Sequence, residues 1–540
     1  MKGKKTAPVS DKIGIDTSLP RRRFFKFAGS LTGGMFFNNI FHWSTACSQT
    51  PQPTVRAAGE RTSLWVTPPA VRWSDKDSRE LRVQLTINYE DFTILPTDGK
   101  YPVRLMCYNN SIVGPTLRVK PGDTLLVDLM NNLPKIPDPV GVGHNGPHGL
   151  YITNLHTHGL HVDPNDGDNV YLEIGRDAPD GQHKRLRYEL PQDHPAGTYW
   201  YHAHKHGSVA VQVGNGMAGA LIVEGGVDDF LKQKGIEERI FVFQQIPFRE
   251  VLSEKAYMVD WQAVTNPVNN RYTLINGTLK PEIRLARGQV ERWRFIHAGI
   301  SENLKIELEG HQLYVIAHDG ITTGRIEPVS FVELHPGYRV DVLVQAQDQP
   351  GVFKLQDLPE RALRGGTEQP QELAWVLIGS AQVESQLPTE DELKSYNPFK
   401  DDDLRKEANP RRLQLTFDIG VNSFFVCGKP YDHKAPPLEL PLDKVDEWVI
   451  TTLNTTNGGN HPFHIHVNPF QVIKIGDKPL AQPIWKDTIL VKNGEPVTFR
   501  MRYRKYTGKT VLHCHILDHE DQGMMLDLEI KDGPVKDFRC

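Results

Sequence analysis

The chain has 540 residues, of which 39% are hydrophobic and 24% charged, and its formal net charge is −4. That length suffices for about three domains of ordinary size. The charge gives no reason to expect a nucleic-acid partner, and no uninterrupted apolar run approaches the roughly 20 residues of a membrane span.

The N-terminal residues 1–58 read as a segment apart from the fold. Lysines are followed by Pro20-Arg21-Arg22-Arg23-Phe24-Phe25-Lys26 and a weakly apolar stretch from Phe27 to about Trp43. This order resembles a twin-arginine export signal, which implies the twin-arginine export machinery as a partner and a periplasmic or otherwise exported bacterial protein. Cleavage is expected between Ser44 and about residue 58. Ser44-Thr45-Ala46-Cys47 is similar to a lipoprotein cleavage site, but Ser44 stands where an aliphatic residue is usual, which argues against a lipid anchor.

After this segment the pattern is that of short strands, and helix-period stretches are few. The 45 glycines and 39 prolines suit many turns. Residues 59–226 form a first β domain, with strands at Leu81–Thr86, Thr116–Val119 and Thr124–Leu129 and a turn at Lys120-Pro121-Gly122-Asp123. A second domain, 227–383, repeats that grammar: Ile283 to Gln289 parallels Leu117 to Asp123. Residues 384–411, charged and containing prolines, read as a linker. A third domain, 412–540, has another such turn at Lys492-Asn493-Gly494-Glu495-Pro496. The repetition predicts an all-β chain of three similar sandwiches.

Five cysteines occur, at 47, 107, 427, 514 and 540. An oxidising compartment permits a disulfide; Cys107 with Cys540 is conceivable, and no spacing dictates a pair. Cys514 differs in lying between two histidines.

The 22 histidines are unevenly placed. Four groups stand out: His156-Thr157-His158, His202-Ala203-His204, His461-Pro462-Phe463-His464-Ile465-His466, and His513-Cys514-His515 followed by His519 and Met524. On a strand, alternate side chains share a face, so each His-x-His pair can reach one site. Eight imidazoles without a carboxylate cluster suit copper, whereas structural zinc favours more thiolate. Cys514 must point opposite to His513 and His515, so three residues touch two sites. His461, at an odd offset from His464, and His519 can join Cys514, with Met524 as a long axial ligand; this is the donor set of a blue copper centre. His161 and His206 break the pairing and read as outer or surface groups. His144, His148, His183 and His194 read as loop residues.

In this order the four motifs resemble the copper signature of the multicopper oxidases. Further similarity lies in Tyr108-Asn109-Asn110-Ser111-Ile112-Val113-Gly114-Pro115-Thr116, in Gly216 to Val223, in His335-Pro336-Gly337-Tyr338-Arg339-Val340-Asp341-Val342 and in Trp485-Lys486-Asp487-Thr488. The resemblance covers about residues 80–530. It implies three cupredoxin-like Greek-key β-sandwich domains and four copper ions. Type 1 copper would take His461, Cys514, His519 and Met524, and type 2 copper His156 and His464. One type 3 copper would take His158, His202 and His515, and the other His204, His466 and His513. The second domain would supply no ligand.

The same resemblance implies four-electron reduction of dioxygen to water, which consumes protons. Glu520 matches an acidic position that the family uses for this, and Asp168 is the expected second acid, with Asp166 in reserve. The reducing partner is expected to be a small phenol or aromatic amine, a laccase-like activity. Only nine methionines occur, and none forms a Met-rich insert before the third motif, which lowers the case for a cuprous oxidase. The alternatives are a metallo-oxidase acting on cuprous or manganous ion, or a copper-resistance or copper-binding protein.

Overall fold

Strand Glu80–Phe92 shows how the local code works: Leu81, Val83, Leu85 and Ile87 are buried, and the residues between them are not. The expected strands at Leu81–Thr86, Thr116–Val119 and Thr124–Leu129 lie inside Glu80–Phe92, Gly114–Val119 and Thr124–Asn131. The computed structural model describes residues 63–72, 79–94, 101–139, 142–265, 271–363, 367–420, 423–452 and 459–540. The export signal and Cys47 fall outside these residues. Among the described residues, no helix is long and apolar enough to cross a membrane.

Among the described residues, six sheets pair into three sandwiches, the all-β architecture expected. In the first, the five-stranded sheet Ala70–Val71, Gly114–Val119, Ala218–Val223, Gly197–His202, His156–His158 shares a core with a six-stranded sheet centred on Glu80–Phe92. In the third, the five-stranded sheet Leu438–Pro441, Met525–Lys531, Gly508–Cys514, His461–Ile465, Thr488–Val491 shares a core with a six-stranded sheet centred on Val445–Thr452 and Val497–Arg502. The second sandwich packs Phe241, Phe243, Trp293 and Phe295 against the opposite sheet's Leu304, Ile306 and Val376.

The repeated turns are structurally equivalent. Asp123 N–H donates to the Lys120 carbonyl, Gln289 N–H to Ala286 and Glu495 N–H to Lys492. In the first two, the side chain of the same residue also accepts from the backbone N–H three positions earlier, at 2.7 Å for Asp123 and 2.8 Å for Gln289. An Asx-type turn and its Gln counterpart thus close the same strand connection.

Two segments join a sandwich other than their sequence neighbours. Ser63–Leu64 pairs in parallel with Pro281 and Glu282 of the second sandwich. The Arg249–Val251 and Ala256–Met258 hairpin extends the first sandwich, through Tyr257↔Val103 and Met258↔Arg104. The expected linker, 384–411, is packed rather than free: it holds a capped turn of helix at Glu390–Leu393, and Leu393, Phe399 and Leu404 are buried.

Cys540 bonds Cys427, not Cys107, which is buried without a disulfide partner. Sequence spacing had no way to choose between them, since the pairing depends on where the C-terminal segment returns against the third sandwich. The disulfide closes a loop across 113 positions. In the chain-entropy account this constrains the unfolded state by up to about 4–5 kcal/mol. The Cys427→Ser/Cys540→Ser double variant is therefore expected to unfold at clearly lower denaturant concentration, with the absorption of the copper-loaded protein unchanged. An unshifted unfolding midpoint would contradict this.

Candidate metal centres

The four histidine motifs sit on one sheet of the first sandwich and one sheet of the third. His156–His158 runs antiparallel to Gly197–His202, with His156 opposite His202. His461–Ile465 runs antiparallel to Gly508–Cys514, with His464 opposite His513 and Phe463 opposite Cys514. Only His156-Thr157-His158 lies wholly within a strand. His202 and Cys514 end their strands, and His466 lies just beyond its own, so His204, His466 and His515 project from the strand ends. Strand alternation therefore accounts for the first pair, and chain exit from the sheet for the others.

The eight rings come together, all buried. His204 Nε2 lies 3.1 Å from His513 Nε2, and His466 Nε2 lies 3.3 Å from the same atom. His515 Nε2 is 3.3 Å from His158 Nδ1. The rings of His202 and His515 are centred 5.7 Å apart, and those of His156 and His464 5.8 Å apart. Ligand atoms of His156, His158 and His202 lie within 4.8 Å of one another, and so do those of His204, His466 and His513.

On the other side of the Gly508–Cys514 strand, Cys514 Sγ lies 3.4 Å from His461 Nδ1 and 3.9 Å from His519 Nδ1. Met524 is fully buried in the same core as Cys514, and its N–H donates to the His519 carbonyl. His519 stacks on Phe424, with ring centres 4.0 Å apart. The three-residue stretch His513-Cys514-His515 thus touches two groups of donors.

These donors fit a metal. Burial holds His156, His158, His202, His464, His466 and His515 well below the ordinary imidazole range, and brings His204 to about 4 and His461 to about 3. Neutral rings offer lone pairs. Nε2 of His156, His202 and His464 is buried with no hydrogen-bond partner; leaving such an atom unsatisfied costs about 1–3 kcal/mol, which a bound ion removes. The opposite nitrogens are anchored. His156 Nδ1 lies 3.1 Å from Asp168 Oδ1, His464 Nδ1 2.8 Å from the Asp487 carbonyl, and His202 Nδ1 2.9 Å from the Ala203 carbonyl. This is the usual arrangement behind metal-ligating histidines.

Both expected acids are buried beside these rings, and Asp166 is exposed. Asp168 accepts from the backbone N–H of Thr157 at 2.7 Å and from its hydroxyl at 3.0 Å. Burial pushes its carboxyl up to about 8, against those two contacts. Glu520 Oε2 lies 3.1 Å from His513 Nδ1, and Oε1 3.5 Å from His204 Nδ1. Burial opposes its charge, and the two imidazoles hold it below the ordinary carboxylate range.

Sequence reasoning missed a third acid, Asp487. Its Oδ1 lies 3.0 Å from His158 Nε2 and accepts from Arg339 Nη1 at 2.7 Å, while Oδ2 takes the second Arg339 donor. The second sandwich, which was expected to supply no ligand, supports the centre from behind through Arg339 and Gly337. Gly337 adopts φ +89°, and a Cβ there would sit 2.9 Å from the His515 ring. The signal was present in Trp485-Lys486-Asp487-Thr488 and in His335 to Val342; only their pairing across 148 positions was not legible.

Of the histidines outside the four motifs, His144, His148 and His194 lie in loops, as expected. His161 and His194 are buried, and the His161 N–H donates to His194 Nε2. His183 opens the strand His183–Glu189 rather than lying in a loop. His206 is buried too, beside His144 and His148.

Three family profiles, each described as multicopper oxidase, match residues 90–227, 249–372 and 405–534. The chain belongs to the multicopper oxidase family. A multicopper oxidase of Staphylococcus aureus is 23% identical, aligned over 82% of this chain and 89% of its own length. The laccase of Bacillus subtilis is 25% identical, over 80% of this chain and 91% of its own. Among solved structures, a laccase from Pediococcus acidilactici superposes with a TM-score of 0.71 at 25% identity, over 89% of this chain and 96% of its own. A multicopper oxidase from Campylobacter jejuni, titled a metallo-oxidase, gives 0.71 at 24% identity, over 88% and 96%. As a multicopper oxidase this protein is a copper-dependent oxidoreductase that carries type 1, type 2 and type 3 copper, and its sandwiches are cupredoxin-like.

Asp168 gives the multicopper oxidase a test of how its histidines are held. Asp168→Asn keeps the shape, but with its one oxygen accepting from the Thr157 donors its N–H₂ stands where Oδ2 faced His156 Nδ1, so a donor replaces an acceptor there. Copper affinity or activity is expected to fall by about 10–100-fold, while Asp166→Asn changes neither. Equal effects of the two variants would contradict the reading.

Proposed function

We propose that the protein oxidises phenols or aromatic amines one electron at a time and couples this to reduction of dioxygen to water, with four electrons and four protons consumed per dioxygen. The observation that carries this reading is the double reach of His513-Cys514-His515. Cys514 faces His461 and His519, and its two neighbours lie among six further imidazoles.

His461, Cys514, His519 and Met524 would hold type 1 copper. His156 and His464 would hold type 2 copper, and His158, His202 and His515 with His204, His466 and His513 the type 3 pair. Bound there, copper supplies one-electron redox chemistry at the cysteine and dioxygen reduction at the histidines. The peptide links from Cys514 to both neighbours give the electrons a covalent path. Glu520, within 3.5 Å of both His513 Nδ1 and His204 Nδ1, would accept a proton in passing and relay it toward the cluster, and Asp168, whose carboxyl burial pushes up, would hold one beside His156. His519 is buried but stacks on the partly exposed Phe424, the side from which a reductant would approach. The arginine-rich N-terminus supports export to the periplasm.

A panel decides the substrate: oxygen uptake by copper-loaded protein with phenols, aromatic amines, and cuprous and manganous ions. Uptake with a phenol or amine is expected. Uptake with metal ions alone would replace the laccase-like reading with a metallo-oxidase, and none with any reductant would leave a copper-binding protein.

A further inference from the structure

We propose that His144, His148, His206 and His433 form a separate site for one divalent transition-metal ion, Cu(II) or Zn(II). These histidines lie outside the four motifs and take no part in the chemistry above. The first sandwich contributes three of them and the third contributes His433.

Three rings are mutually close: the centre of His144 lies 5.4 Å from His148 and 4.9 Å from His206, and His148 lies 5.7 Å from His206; His433 approaches this trio through His144 alone, at 4.6 Å, and would complete the set by turning toward the ion. A tetrahedral ion with metal–nitrogen bonds of about 2.0 Å places imidazole centres on the order of 5 Å apart. The spacing inside the buried cluster is similar, at 4.9 Å for His204–His513 and 5.5 Å for His202–His204.

The set is graded from inside to outside. His206 is 8% exposed, and its Nδ1 is buried with no hydrogen-bond partner. His148 is half-buried, and His144 and His433 are exposed, where side chains change rotamer readily. Imidazole donors without a thiolate select borderline divalent ions.

The site adjoins the electron-entry side. His206 Nε2 lies 3.2 Å from Asn145 Oδ1, Asn145 Nδ2 donates to the Tyr431 carbonyl at 2.8 Å, and the Tyr431 N–H donates to the carbonyl of Gly523, which precedes Met524. The Gly207 N–H, next to His206, donates to Asp521 Oδ1 at 2.6 Å. An ion held here would therefore be tied by hydrogen bonds to the loop between His519 and Met524.

The test is titration of the copper-loaded holoenzyme with Zn(II) and, separately, Cu(II), followed by calorimetry and metal analysis after gel filtration. Wild type is expected to take up one further equivalent, with the relative affinities deciding between the two ions. His144→Ala/His433→Ala should weaken that uptake at least tenfold and leave the blue absorption intact. His144→Gln, which alters one exposed side chain, should weaken it in the same direction and guards against misfolding of the double variant. No uptake beyond the holoenzyme's copper, or uptake unchanged in both variants, would overturn the proposal. Because the readout is metal bound and not turnover, the result stands whichever reductant the oxidase uses.

Discussion

Cys514→Ser is expected to abolish the blue absorption and reduce oxidase activity to background, while the copper held by the eight histidines stays largely bound. Serine cannot supply a thiolate, so the donors facing His461 and His519 lose their defining ligand. His513 and His515 keep their backbone and their ring contacts. Metal analysis should show one copper lost, and visible absorption should show the loss of blue colour alone. Retained activity would mean that electrons enter elsewhere. Loss of all copper would mean that Cys514 is needed to fold the centre rather than to pass electrons through it.

Arg339→Ala is expected to destabilise the apo-protein by about 3–5 kcal/mol, the usual effect of removing one partner of a buried ion pair. Arg339 is fully buried. It donates to Asp487 through two nitrogens, to the Asp319 carbonyl at 2.9 Å and to the Thr198 carbonyl at 3.2 Å, so it ties the three sandwiches together. Burial already pushes the Asp487 carboxyl up, and Arg339 opposes that shift. Without the guanidinium, Asp487 would be driven to take up a proton and would lose its charge-assisted contact with His158 Nε2. Weaker copper binding is then expected alongside the lower stability. Arg339→Lys should recover part of the charge but not the two-point contact. Denaturant unfolding of the apo-protein checks this, and a shift below about 1 kcal/mol would rule out the pair as a structural centre.

The donors were legible from sequence because their information is local. His156 and His158 declare themselves by strand period, and Cys514 by standing between two histidines. The turns at Lys120 and Ala286 showed their kinship in a seven-residue window. What could not be read depends on pairings distant along the chain. Arg339 finds Asp487, Cys427 finds Cys540, and His433 comes to lie beside His144, each across more than a hundred positions. Nothing near any of these residues points to its partner. The same limit explains His161 and His194, whose burial is set by packing rather than by their neighbours in sequence.

The two groups of donors differ in how much chain must be arranged before they exist. His461, Cys514, His519 and Met524 all lie between positions 461 and 524, within one sandwich. His158 and His515, by contrast, are separated by 357 positions. Closing so long a loop is entropically slow, and contacts of that span form late. During synthesis the first half of the larger centre must wait, with four imidazoles uncompleted, until nearly the whole chain has been made. Capture of metal at that centre is thus a report that both ends of the molecule have folded and met.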